Sequence, residues 1–197
     1  ILIDDLSTIM ATFKFVDDVT LTEITDQSNM SQMQLAADQV AAWSHHNFMN
    51  INTKKTKEML FGRISKNPLS LIVFNTGAVD RVTSFKLLGV IIRDNLSWEN
   101  HINAVCAKAG THLHFLKLLN RLSVTFDDLL QYYKAIIRPV IEYACPVWQS
   151  GLTVEQRSRL ESIQRRALHI ISGSLNYEPN CVLYDIEPIS ARLKNLT

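Results

Sequence analysis

This sequence has little net charge, few cysteines and no long uninterrupted apolar run, and each shortage removes a class of function. Lysine and arginine total 20 against 19 aspartates and glutamates, a formal charge of +1, so no global field drives the chain toward nucleic acid or an acidic partner. Its cysteines, Cys106, Cys145 and Cys181, lie far apart with no CxxC pair and no Cys/His knuckle. That argues against structural zinc and against a disulfide framework, and fits a reducing, intracellular compartment. The longest apolar stretch, residues 135–148, is broken by Arg138, Glu142 and two prolines, so no membrane span is expected. Acids follow Ile1-Leu2-Ile3 at once, without the basic region or small-residue cleavage site of a signal peptide. Repeats and low-complexity tracts are lacking, and so is an initiator methionine; the expectation is a piece of a longer protein.

What is present is an ample apolar fraction, 47%, and an uneven distribution of charge. Asp4, Asp5, Asp17, Asp18, Glu23 and Asp26 are opposed over residues 1–30 only by Lys14, whereas 54–66 holds Lys54, Lys55, Lys57, Arg63 and Lys66 against Glu58. The most informative stretch is Phe13-Lys14-Phe15-Val16-Asp17-Asp18-Val19-Thr20-Leu21-Thr22. Aromatic and β-branched residues on both flanks favour a pleated surface, and aspartate tolerates turn dihedrals, so a hairpin with Asp17 and Asp18 at its tip is expected. Two like charges side by side repel unless a cation neutralises them, which makes the pair sensible as a Mg²⁺ platform. A solvated Asp-Asp turn is the alternative, and for an isolated pair the commoner one.

Periodicity organises the rest. Ser31 with Gln34 has capping-box spacing, and Met30 with Leu35 that of a hydrophobic staple, opening a helix through Met33, Ala36, Ala37, Val40 and Trp43 that ends near Asn47. Strands are expected at Met59-Leu60-Phe61, closed by Gly62, and at 69–74, turning at Asn75-Thr76-Gly77. The run 85–92 is either buried on both faces or closed into a hairpin. Beyond Asp94 the period becomes helical. Ser97 can cap a helix burying Trp98, Ile102, Val105, Cys106, Ala109, Leu113 and Leu116. Thr125 with Asp128 starts a helix burying Leu129, Tyr133, Ile136, Ile137, Val140 and Ile141, which Pro139 should kink or end early. Thr153 with Gln156 opens a third, with Leu160, Ile163, Ala167, Ile170 and Ile171 inward and Gly173 just past its end. From Tyr177 a loop with at most one short helix is expected. The fold class is α+β, with units 1–95 and 96–197.

Several motifs occur in the order found in reverse transcriptases of non-LTR (LINE-type) retrotransposons, and the chain resembles that family over essentially its whole length. Phe15-Val16-Asp17-Asp18 looks like the family's [FY]-x-D-D metal-binding hairpin, and Asn52-x-x-Lys55-Thr56 resembles the next palm motif. Phe85-Lys86-Leu87-Leu88-Gly89-Val90, with Leu96-x-Trp98 and His101-Ile102, resembles the primer grip and the start of the thumb. Residues 137–148, from Ile137-Arg138-Pro139 to Pro146-Val147-Trp148, and Leu160-Glu161-x-Ile163-Gln164-x-Arg166-Ala167 are similar to thumb signatures.

The resemblance implies an incomplete polymerase palm, made of a β-hairpin, a helix and short antiparallel strands, followed by an all-helical thumb. It implies RNA-templated DNA synthesis with Mg²⁺ in the intact protein, an RNA template, a DNA primer and dNTP as partners, and a nuclear or cytoplasmic ribonucleoprotein setting. Asp17 would be the main metal ligand, Asp18 its more indirect neighbour, and Lys55 the cation that stabilises and, as an acid, protonates leaving pyrophosphate. Residues 85–90 would seat the primer terminus. Lys108, Lys117, Arg121, Arg157, Arg159, Arg165 and Arg166 would track a phosphate backbone; a solvated helix face is the alternative. The family's upstream aspartate-bearing strand, its nucleotide-checking helix and its fingers would precede Ile1, so the lone chain is expected to be inactive. A non-catalytic nucleic-acid-binding remnant is the rival reading.

Overall fold

The computed structural model describes residues 3–25, 31–62 and 70–196. It is an α+β protein in two compact units, Ile1–Phe85 with Arg93–Leu96, and Lys86–Ile92 with Ser97–Thr197.

The first unit is built from short strands and one helix. Strands β1 (Ala11–Phe15) and β2 (Asp18–Thr22) pair antiparallel, with Phe15 opposite Asp18 and Ala11 opposite Thr22. Helix α1 (Met33–His46) follows, with Asn47 at its C-cap. The expected capping box does not form. Ser31 Oγ does accept from Met33 N at 3.2 Å, but it donates to Glu23 Oε2 at 2.6 Å. The Gln34 amide turns instead to Val73, donating to its carbonyl at 2.8 Å and accepting from its N–H at 2.9 Å. A side-chain amide thus completes a strand edge, which offers two hydrogen bonds where the capping box offers it one. The expected staple involves Met30, outside the described residues.

Strand β3 lies at Lys57–Glu58, two residues before the stretch expected from apolarity, and Met59-Leu60-Phe61 forms no strand. Cross-strand charge decides the register: β3 pairs in parallel with β6 (Asp80–Arg81), and Lys57–Asp80 (2.5 Å) and Glu58–Arg81 (2.8 Å) are ion pairs. Between them β4 (Val73–Phe74) and β5 (Gly77–Ala78) make a hairpin, so the strand expected over 69–74 is shorter; Leu69 is outside the described residues. Among the described residues the apolar cluster here is Ala37, Ile72 and Val79 with Met33 and Phe74 against them, and Ile3, Leu6 and Ala36 are also buried.

The apolar run at 85–92 is a hairpin, β7 (Ser84–Leu87) paired with β8 (Val90–Arg93). Leu88 and Gly89 both have positive φ, 44° and 87°, the requirement of the tight turn whose twist matches paired strands. The tip of this hairpin belongs to the second unit.

Helices make the rest of that unit. Helix α2 (Glu99–Arg121) buries Ile102, Val105, Ala109, Leu113 and Leu116, the expected stripe, with Trp98 and Cys106 half-buried. Helix α3 (Phe126–Tyr132) is capped by Thr125, whose hydroxyl oxygen accepts from Asp128 N. Pro139 does not end the helix early, since helical residues continue to Glu142. A π-helical turn, Tyr133–Ile137, precedes it and leads into α4 (Arg138–Glu142), with the proline in its first turn. The wider turn shifts the helical phase by one residue and accommodates the missing N–H. That shift keeps Ile137 and Ile141 buried and leaves Ile136 exposed, contrary to expectation.

Ala144, left-handed at φ 52°, turns the chain into the short α5 (Cys145–Trp148) and a 3₁₀ turn, Gln149–Gly151. Helix α6 (Val154–Ser172) opens with the complete Thr153–Gln156 capping box and ends at Gly173, φ 70°. The expected terminal loop contains two helices, α7 (Tyr177–Leu183) and α8 (Ile189–Asn195). Pro179 falls in the first turn of α7 and Pro188 at the N-cap of α8, where a proline sacrifices no intrahelical bond. Among the described residues no helix is long and apolar enough to cross a membrane.

Candidate functional site

Asp17 and Asp18 sit at the tip of the β1–β2 hairpin, both exposed, with Val16 and Asp17 forming its two-residue turn. Val16 has φ 56°. A β-branched residue rarely adopts this left-handed region, at a cost of about 1–3 kcal/mol, and such strain concentrates at functional turns. The acidic pair Asp4-Asp5 occupies an exposed turn closed by Leu6 N to Ile3 O, and Lys14 Nζ donates to Asp4 O at 2.6 Å. Among the described residues no group of three or more histidine, cysteine, aspartate or glutamate side chains is placed to hold a metal. Asp17 and Asp18 therefore offer hard oxygen donors of the kind Mg²⁺ takes, as a pair.

Lys55 is exposed in a turn organised by Asn52. The Asn52 carbonyl accepts from Lys55 N (3.0 Å) and Thr56 N (2.9 Å) as well as from Thr56 Oγ1 (3.0 Å), and Asn52 Oδ1 accepts from Lys55 N (3.2 Å). The Asn and Thr of the Asn52-x-x-Lys55-Thr56 motif thus have a local role, and its lysine is left projecting from a fixed turn. Of its neighbours, Lys57 is committed to Asp80, while Arg63 and Lys66 lie outside the described residues.

The Leu88-Gly89 turn is held by Tyr143. Its hydroxyl donates to Leu88 O at 2.8 Å, and a Cβ added to Gly89 would come within 2.8 Å of the ring. Trp148 Nε1 in turn donates to Tyr143 O at 3.0 Å. Leu88 is exposed and Val90 buried in the helical core, so residues 86–90 combine an anchored strand with an open apolar tip. Phe85, which belongs to the first unit, is partly exposed.

The seven cations expected to form one track do not share a face. Arg159 is tied to α2, with Nη1 2.9 Å from Glu99 Oε1 and Nη2 donating to Asn103 Oδ1. The bonds from Gln156 and Arg159 hold the Glu99 carboxyl below the usual carboxylate range. Arg165 lies over the Tyr177 ring, 5.1 Å from its centroid. Lys108 and Lys117 are two and a half turns apart on α2, as are Arg157 and Arg166 on α6, so each pair faces opposite ways at about 3.6 residues per turn. Lys117, Arg121 and Arg166 do come together, lining a concavity of about 510 Å³ with Asn120, His169 and Ile170.

Three residues that motif reading treated as sequence markers are structural hubs. Glu142 faces both Arg138 (3.5 Å) and Arg192, the latter through charge-assisted hydrogen bonds. Gln164, fully buried, accepts from Tyr133 OH at 2.5 Å and donates to Tyr177 OH (2.8 Å) and Glu187 O (2.9 Å). Burial pushes the Tyr133 and Tyr177 hydroxyls above the usual tyrosine range, with Glu161 adding to the second effect, so both remain donors. His101 is buried between Trp98 and Trp148, accepts from Ile91 N at 3.4 Å, and is held below the usual histidine value by desolvation. A glutamine inside an apolar stripe, and Arg138–Glu142 at helical spacing, were the signals available for two of these. No family model, curated protein or solved structure matches the chain.

Proposed function

We propose that this chain is the carboxyl part of a palm and the thumb of a reverse transcriptase of the non-LTR retrotransposon kind. In this reading Asp17 and Asp18 hold Mg²⁺, and the helical unit grips a template–primer duplex. The observation that carries it is the hairpin: two exposed carboxylates at a strained two-residue turn, ahead of the other motifs in family order. Mg²⁺ bound there would supply Lewis-acid activation for nucleotidyl transfer. Lys55, on its Asn52-fixed turn, offers a cation and proton donor for a departing phosphate. The Leu88-Gly89 tip offers an apolar rest for a primer end. Two adjacent carboxylates are an incomplete set for two-metal chemistry, so the lone chain is expected not to extend a primer.

The test uses Mn²⁺ as a paramagnetic substitute for Mg²⁺, in the presence of an RNA–DNA hybrid. Selective broadening of the amide signals of residues 16–19, absent in D17N/D18N, is expected. Broadening spread over all the acids, or none at these residues at millimolar Mn²⁺, would sink the metal-site reading. The rival, a nucleic-acid-binding remnant without chemistry, draws support from the cations gathered at Lys117, Arg121 and Arg166. It predicts hybrid binding with a steep salt slope and no response to divalent ion.

A further inference from the structure

Helices α2 and α6 run parallel. Glu99, at the start of α2, meets Gln156 and Arg159 at the start of α6, and Asn120, near its end, donates to Ile170 O at 2.7 Å. Along this seam the charges segregate. The amino-terminal end is neutralised by the Glu99–Arg159 pair, and the carboxyl-terminal end gathers Lys117, Arg121 and Arg166 with His169 on the wall. None of these three cations has an acidic partner among the described residues, and no acid lines the concavity. Elsewhere in the same unit Arg138, Arg159 and Arg192 are all ion-paired.

Helix electrostatics accounts for only part of this. Cations are favoured beside the last turn of a helix, which covers Arg121 on α2 and His169 on α6. Lys117 and Arg166 stand before those last turns and gain little from the dipole, which falls off within a turn. They bring mutual repulsion to a shared concavity, and an anion would relieve it. The Asn120–Ile170 bond ties the two helices at this point, so the cations project from a braced seam. Gly173, left-handed at the rim, has open space where a Cβ would stand, leaving the approach clear.

We propose that this concavity is a phosphodiester-binding site that takes adjacent backbone phosphates of one nucleic-acid strand through Lys117, Arg121 and Arg166. The site would be the contact surface of the thumb reading above, on which it rests, and it requires neither the metal nor Asp17. Arg is suited to forked contact with phosphate oxygens and Lys to a point charge. Such contacts are sequence-independent and salt-sensitive.

The geometry supplies its own control, because Lys108 and Arg157 carry the same charge on the opposite faces of the same two helices. Binding of a labelled RNA–DNA hybrid to the full chain is measured across a salt series for K117E/R166E and for the charge-matched K108E/R157E. The first pair is expected to weaken binding at least tenfold and to flatten the log–log salt slope by about two, near 0.9 for each phosphate left unneutralised. The second should remain within about threefold of the unaltered chain. K117Q/R166Q, a milder change read alongside the thermal unfolding midpoint, guards against a folding defect and should give an intermediate loss with an unchanged midpoint. Equal losses for the two glutamate pairs, or retention of hybrid binding in K117E/R166E, would overturn the proposal. So would a loss seen with anionic phospholipid vesicles and not with hybrid. A silent Mn²⁺ test together with a selective K117E/R166E defect would remove the metal reading and leave this site standing.

Discussion

The two units solve the problem of stability differently. In the helical unit α2, α4 and α6 enclose a continuous apolar core, from Ile102 and Leu116 through Tyr133, Ile141 and Trp148 to Leu160 and Leu168, and the buried Gln164 within it is paired with Tyr133 OH and Glu187 O. Among its described residues the strand-rich unit has an apolar cluster of Ala37, Ile72 and Val79 with Ile3, Leu6 and Ala36 also buried, two-stranded sheets, and Phe13, Phe15 and Phe48 exposed, Phe48 almost completely at 98%. Its described polar contacts include the Glu58–Arg81 and Lys57–Asp80 pairs, the Gln34–Val73 amide bridge and the Asn52 turn. A pair of strands without a third is marginal in water, whereas packed helices with a shared core are not. The contrast separates roles as well: the candidate metal ligands ride on the lightly stabilised unit, and the candidate phosphate contacts on the firmly packed one.

The largest expected consequence is in amide exchange. Protection at the centres of α2 and α6 should exceed that in β1 and β2 by about a thousandfold, on the order of 4 kcal/mol of opening free energy. Uniform protection across both units would remove the distinction. Core truncations sharpen it next. Leu160→Ala should cost about 2–5 kcal/mol in urea unfolding of the helical unit, while Val79→Ala should cost about 1–2 kcal/mol in the other. Comparable losses would mean that the small core is better supported than its packing indicates.

The smallest effect is a pH dependence arising from His101 in the helical unit. The described histidines of the strand-rich unit, His45 and His46, are exposed, whereas His101 is buried and held below the ordinary value of 6.5. The unfolded chain binds a proton more readily than the folded one there, so this contribution is present above about pH 6.5 and is lost as the pH falls below it. Unfolding midpoints at pH 8 and pH 5.5 should differ more in the unaltered protein than in H101F. Parallel drops in both would assign the acid sensitivity to other groups.

Much of the helical unit was legible in advance because a 3.6-residue period is a long, redundant signal. The stripe Ile102-Val105-Ala109-Leu113-Leu116, the Thr125 cap and the Thr153–Gln156 box all lie where spacing places them. The π turn before Pro139 was not legible, since its phase shift depends on which isoleucines find the core, and Ile136 lost that competition to Ile137. Short strands were read less well. Met59-Leu60-Phe61 is more apolar than Lys57-Glu58, yet the charged pair forms the strand because Asp80 and Arg81, distant in sequence, complete it.

The sequence alone determined the tip of the Phe15-Val16-Asp17-Asp18 hairpin, the buried stripe of α2 and the Thr125 and Thr153–Gln156 caps, because each rests on neighbours within a turn or two. Only the tertiary structure decided which cations act together. Seven basic residues carried equal weight along the chain, and the parallel packing of α2 on α6 paired Arg159 with Glu99 and left Lys117, Arg121 and Arg166 around one concavity. The physical reason is that a local contact is written in spacing, whereas charge pairing depends on which surfaces the fold brings within a few ångströms.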